Sequence, residues 1–275
     1  PRAVLLLPRN AATSALTNLS VRAGLRASEP LIAGVVIAGA GERELLARGI
    51  GPGLDGLVAD GIAIAGDPRL VVYDNANAPL ISNDDWAGDP DLRNAFDLVG
   101  AFLLPENSRD SALLAPFGNE HTAHIGSASD GVGLIELYDT QTAAAASRLV
   151  NFSARHQVGI GSEILIAGFA IEGPGMKTLL IRGIGPGLAS HGVTGHLVNS
   201  HVAVYGSDGA RVAENDDWPA NLAAVFAEAG AFPLTEGSED AALVVALAAG
   251  TYTVQLSGVS NQTGEGLIEI YDLDL

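Results

Sequence analysis

The chain has 275 residues, a formal net charge of −18, 48% hydrophobic residues with only 5% aromatics, and no cysteine. That charge disfavours a nucleic-acid backbone or an anionic membrane surface as partner. The lack of cysteine excludes disulfides and thiolate metal sites, and no stretch approaches the ~20 apolar residues of a membrane-spanning helix.

Residues 1–15, PRAVLLLPRNAATSA, open the chain with an apolar run that includes Val4, Leu5, Leu6 and Leu7 between two prolines. It reads as an extension strand, with two uses open: covering an edge of its own fold, or adding to a sheet of a neighbouring molecule. From residue 16 onward the chain repeats itself, and this decides the fold class. LTNLSVR at 16–22 returns as LVNFSAR at 149–155, and LIAGVVIAGAG at 31–41 as LIAGFAIEGPG at 165–175. RGIGPGL at 48–54 recurs unchanged at 182–188, NDDW at 83–86 recurs at 215–218, GAF at 100–102 recurs at 230–232, and GLIELYD at 133–139 returns as GLIEIYD at 266–272. The expected units are 16–139 and 149–275, joined by a linker at 140–148.

Within each unit most segments read as short strands. PRLVVYD, TLLIRGIG and HVAVYG are rich in β-branched and aromatic residues and bounded by turn formers. GTYTVQLSG at 250–258 alternates, with Tyr252, Val254 and Leu256 on one face. One stretch per unit has helical spacing instead: Leu92, Phe96 and Val99 in the first, and Leu222, Val225, Phe226 and Ala229 in the second. Gly230 is placed to end the second helix. The expected architecture is all-β, two tandem jelly-roll-like antiparallel β-sandwiches in series, each with one short helix.

NDDW precedes the helix in both units. One reading is a turn and helix start, with Trp86 and Trp218 plugging a core edge, Asp89-Pro90 capping the first helix, and Asp217 followed by Pro219 starting the second. The other is a calcium site in the first unit, where Asp84, Asp85, Asp89 and Asp91 offer the oxygen-rich loop that this hard cation takes. An acid/base pair is disfavoured, because adjacent residues in an extended turn point apart. RGIGPGL misses both phosphate-loop patterns and reads as a tight turn at a strand end, with Arg48 and Arg182 each pairing with a carboxylate of its own unit. His121 and His124 in one unit, and His191, His196 and His201 in the other, have no counterparts in the opposite unit. Their odd spacing in strands argues against a shared zinc ion. N-x-[ST] at Asn18, Asn151 and Asn261 reads as turn and strand chemistry.

The stretch LVVYDNANAPLISNDDW and its partner VAVYGSDGARVAENDDW resemble bacterial pre-peptidase C-terminal-like domains: a strand ending in Tyr, a turn, a second strand, then an Asp pair. The whole unit looks like a tandem repeat of large secreted bacterial proteins. The resemblance implies a jelly-roll sandwich, secretion and no catalysis, with calcium or polymeric ligands in some members. The functional expectation is a non-enzymatic secreted structural or interaction protein at the cell surface or in an extracellular assembly, a filament by N-terminal strand donation among the options. It would need no cofactor and partner with itself, other extracellular proteins or polysaccharide. The alternative is a calcium-dependent or carbohydrate-binding accessory module.

Overall fold

The computed structural model describes residues 14–27, 29–141 and 147–274. The donor-strand candidates Val4, Leu5, Leu6 and Leu7 lie outside the described residues. The first repeat contributes β1 (Ala15–Leu25), β2 (Leu31–Gly39), β3 (Arg43–Ile50), β4 (Pro68–Asp74), β5 (Pro79–Asn83), the helix α1 (Pro90–Val99), β6 (Ser111–Phe117), β7 (Glu120–Ser127) and β8 (Gly131–Asp139). The second contributes β9 (Ser147–Val158), β10 (Leu165–Glu172), β11 (Lys177–Ile184), β12 (Ser200–Gly206), β13 (Arg211–Asn215), the helix α2 (Ala223–Glu228), β14 (Ala241–Leu247), β15 (Gly250–Gly258) and β16 (Gly264–Asp272) in the same order.

Each repeat folds as an antiparallel jelly roll. In the first, one four-stranded sheet runs β6-β3-β8-β1 and the other β2-β7-β4-β5. The second repeat has the equivalent sheets β14-β11-β16-β9 and β10-β15-β12-β13. This is the all-β sandwich expected from the strand spacing, with the two stretches of helical spacing forming α1 and α2.

The repeats are not beads in series. β1 pairs along its length with β10 of the second repeat, and β9 pairs with β2 of the first. Each four-stranded sheet thus continues into one of the other repeat, giving two eight-stranded sheets that span the molecule. Leu16 of β1 bridges to Leu149 of β9, its own counterpart. The two crossings are equivalent by a pseudo-two-fold relation: Ser20 faces Gly168 in one, and Ser153 faces Gly34 in the other. The physical reason is edge protection. β1 and β2 would each be raw edges in an isolated unit, and mutual pairing removes them.

One hydrophobic core runs through both repeats between the sheets, with Leu19, Val21, Leu70 and Ile125 packed in the same cluster as Phe152, Phe169, Val254 and Leu256. Two satellite cores lie on the outer faces of the β3- and β11-containing sheets. Trp86, Leu92 and Phe96 pack under α1 in one, and Trp218, Leu222 and Phe226 under α2 in the other. Among the described residues, the outer faces of β2-β7-β4-β5 and β10-β15-β12-β13 carry no α-helix. Among the described residues no helix is long and apolar enough to cross a membrane.

Candidate functional site

The groups kept in both repeats converge under the helices. Arg48 on β3 lies directly opposite Glu136 on β8, and both are buried. Arg48 donates from Nε to Glu136 Oε2 at 2.9 Å and from Nη1 to the carbonyl of Phe102 at 2.6 Å. Its guanidinium lies over the rings of Phe96 and Phe102, 4.8 and 4.4 Å from their centroids. Tyr138 donates to the other oxygen of Glu136 at 2.8 Å. The second repeat reproduces this with Arg182, Glu269, Phe226, Phe232 and Tyr271. Burial, and then the facing glutamate, push both tyrosine hydroxyls well above their ordinary range. The expected pairing of each arginine with a carboxylate of its own unit is therefore present. GAF also gains a reason: Gly100, at φ 68°, ends α1, and Phe102 supplies a carbonyl and a ring to the arginine.

The glycine-rich turn after this arginine holds an anion, and the anion is internal. Asp110 accepts from the amides of Gly51 at 2.7 Å and Gly53 at 3.1 Å; Asp240 accepts from Gly185 at 2.8 Å and Gly187 at 3.0 Å. Both carboxylates are fully buried. A side chain at Gly51 would run into the Ala65 carbonyl, so only glycine lets the backbone close here. The loop has the amide geometry of an anion nest, occupied by its own aspartate.

NDDW divides into separate roles. Asn83 accepts from the amide of Ala112 at 3.0 Å and Asn215 from that of Ala242 at 2.9 Å, so each asparagine satisfies a donor on an edge strand. Trp86 is buried and donates to the Pro105 carbonyl and Ser108 Oγ; Trp218 donates to Thr235 and Ser238. Asp89 caps α1, accepting from the amides of Asp91 and Leu92, as expected. Asp217 does not start the second helix. A 3-10 turn at Ala220–Leu222 leads into α2 without any side-chain cap, and the Asp217 carbonyl instead accepts from Asn215.

Of the calcium candidates, Asp84, Asp85, Asp89 and Asp91 are all exposed, and the carboxylate of Asp89 is engaged by the helix amides. Among the described residues no three His, Asp or Glu side chains are gathered as a metal would need. The histidines are dispersed. His121 meets Phe117, His124 lies tilted against Tyr73 with ring centroids 4.4 Å apart, His191 meets Phe232, His196 approaches the Val193 carbonyl, and His201 faces Glu214. Burial, and then the Arg155 guanidinium, hold His124 below its ordinary value of 6.5.

A second shared pattern runs from each open face to the helix-covered face of the other repeat. Across one sheet Tyr73, Thr122, Gly34, Ser153 and Glu269 stand opposite one another on successive strands; across the other, Tyr205, Thr253, Gly168, Ser20 and Glu136 do the same. The glycines are explained by the serines. A methyl at Gly34 would sit 2.6 Å from Ser153 Oγ, and one at Gly168 2.5 Å from Ser20 Oγ. The N-x-[ST] motifs at Asn18 and Asn151 thus serve strands. Each asparagine donates to a backbone carbonyl of the neighbouring strand, and each serine fills the space over a glycine.

Of the depressions in the described surface, three stand out. One of about 470 Å³ lies between the repeats, with Arg26, Asp130, Gln157 and Glu163 among its walls. Another of about 510 Å³, also between the repeats, is lined by Thr17, Tyr138, Asp139 and Glu172. Burial raises the Asp139 carboxyl, opposed by the Gln141 amide and by its ion pair with Arg43. The third, about 420 Å³, lies over Arg69, Val71, Tyr73 and Leu80 on an open face.

No protein-family profile matches the chain, and no curated protein sequence matches it. Among solved structures, a DUF4785 family protein from Legionella pneumophila is 8% identical over 95% of this chain and 84% of its own, with a TM-score of 0.24. Vicilin from Corylus avellana is 6% identical over 98% and 77%, TM-score 0.22. An oxalate decarboxylase from Bacillus subtilis is 10% identical over 94% and 69%, TM-score 0.19. At these scores the likenesses carry no functional argument.

Proposed function

We propose that this chain is a non-enzymatic structural or interaction protein, secreted and built into a cell-surface or extracellular assembly, in the manner of the pre-peptidase C-terminal-like repeats that its motifs resemble. One observation carries the reading. The buried charged groups kept in both repeats, Arg48 and Arg182, Glu136 and Glu269, Asp110 and Asp240, all end on partners within their own repeat. They hold helices and turns to a sheet. What duplication has preserved is therefore a way of folding. Light scattering and negative-stain microscopy of the purified chain, with and without residues 1–13, test this. Concentration-dependent oligomers that disappear on truncation support it, and a monomer at every concentration removes the assembly reading.

A second reading is carbohydrate binding on the open faces. It is favoured by the retention of Tyr73 and Tyr205 beside Thr122 and Thr253, an aromatic surface next to hydroxyl partners. Retention on neutral polysaccharide in affinity electrophoresis, lost in Y73A/Y205A, is its expected result.

A further inference from the structure

The outer edges of the two long sheets are not equivalent. β6 and β14 occupy the same place in the two repeats, each pairing on one side only among the described residues. The amide of Ala242 points to the free side of β14, where it donates to Asn215. Strand alternation puts Val244 and Ala246 on that same side. Their counterparts on β6 are Leu114 and Pro116. Proline has no amide to offer an incoming strand, so β6 carries a standard block against strand addition and β14 lacks it. Packing follows the same division. Leu113 and Ala115 of β6 are 6% and 5% exposed, whereas the matching core-facing Leu243 and Val245 are only partly buried, and Val244 is 41% exposed. Among the described residues, the β14 edge is an apolar strand position with no strand on its outer side.

The chain contains a segment that fits. Residues 3–7, AVLLL, lie between Pro1 and Pro8, with Arg2 and Arg9 nearby and no acidic residue among the first thirteen, in a chain of net charge −18. The described chain starts at Ser14, which bonds through Oγ to the amide and carbonyl of Gly175. Gly175 is two residues before Lys177, the partner of Leu247 at the end of β14. From there residues 8–13 span at most ~20 Å. Within one molecule, the direct path of that tether delivers Leu7 at the Leu247 end, which favours a parallel strand. Between molecules an antiparallel strand is free to form. It is the better-bonded arrangement and the one used by every pair of strands in both sheets.

We propose that residues 3–7 of one molecule add antiparallel to β14 of a second copy, making a head-to-tail contact that propagates. The proposal rests on the assembly reading above and names its donor and acceptor. The chain has no cysteine, so single L5C and V244C variants of the full chain can be mixed and oxidised. A disulfide heterodimer is expected, exceeding either homodimer at least tenfold. Adding A246P, which copies the Pro116 block, should cut its yield at least tenfold with little change in melting temperature. No heterodimer, an intrachain disulfide in the L5C/V244C double variant, or a yield unmoved by A246P overturns the proposal. Oligomers that persist with A246P would leave the assembly reading standing with a different acceptor, whereas a monomeric parent chain would remove both.

Discussion

Ser20 of the first repeat stands over Gly168 of the second, so close that a methyl on the glycine would lie 2.5 Å from the serine oxygen. The same pair recurs as Ser153 over Gly34. These two contacts set how closely β1 approaches β10 and β9 approaches β2, and therefore how the repeats share their sheets.

Substituting Gly168 by Ala should destabilise the chain by about 1–3 kcal/mol through overpacking. Removing the opposing hydroxyl should restore most of it, because the Ser20 Cβ is 3.9 Å from the added methyl. Urea unfolding of S20A, G168A and the double variant gives the coupling directly. Additive effects would mean that the serine does not dictate the glycine.

Removing one partner of the Arg48–Glu136 pair strands a buried charge. R48M should cost about 3–5 kcal/mol, and R48M/E136L clearly less. Denaturant midpoints decide this. If the double variant is the worse of the two, the pair contributes stability beyond its mutual neutralisation.

Asp110 holds the glycine turn by accepting hydrogen bonds from two backbone amides. D110A leaves both amides unpaired in a buried site and should lose about 2–5 kcal/mol, while D110N keeps one acceptor oxygen and loses less. Hydrogen exchange at the Gly51 and Gly53 amides should accelerate in D110A. Unchanged exchange there would show that the turn stands without its carboxylate.

His124 gives a pH signature. Its folded pKa lies below 6.5 because burial, and then Arg155, disfavour the cation. The unfolded chain therefore binds the proton more readily. The stabilising contribution is complete above 6.5 and is lost as pH falls through the folded value. Replacing His124 by Gln, the residue at the matching position 255 in the second repeat, should flatten the melting temperature between pH 7 and 5 relative to the parent chain. Parallel profiles would count against a role for this imidazole.

Much of this was legible in the sequence, for definite reasons. Duplication is a property of the string, and period-2 alternation at 250–258 or helical spacing at Leu92 and Phe96 follows from local geometry. The pairing of Arg48 with a carboxylate of its own unit followed from its presence in both. Asp110 and Asp240 were missed although a signal existed: SRDSAL at 108–113 and SEDAAL at 238–243 repeat the Ser-x-Asp-x-Ala-Leu pattern. The pairing of β1 with β10 and of β9 with β2 across the repeats had no local signal. A strand at the edge of its own unit and one that also pairs with the next unit alternate in the same way, and only the fit of Ser20 to Gly168 tells them apart. Asp217 misled because an Asp-x-Pro sequence announces a helix whether or not the chain turns in time to use the carboxylate.

The bridge of Leu16 to Leu149 joins a residue to its own duplicate, as residues on the axis of a symmetric homodimer do. Severed between 141 and 147, the chain would become two subunits of similar sequence, each with two bare edge strands matched by its twin. The seam thus has the form of a two-fold subunit interface carried on one chain. Two halves on one chain are free to differ where those of a homodimer are not. Proline at 116 against alanine at 246 is such a difference, at matching places on the outer edge strands.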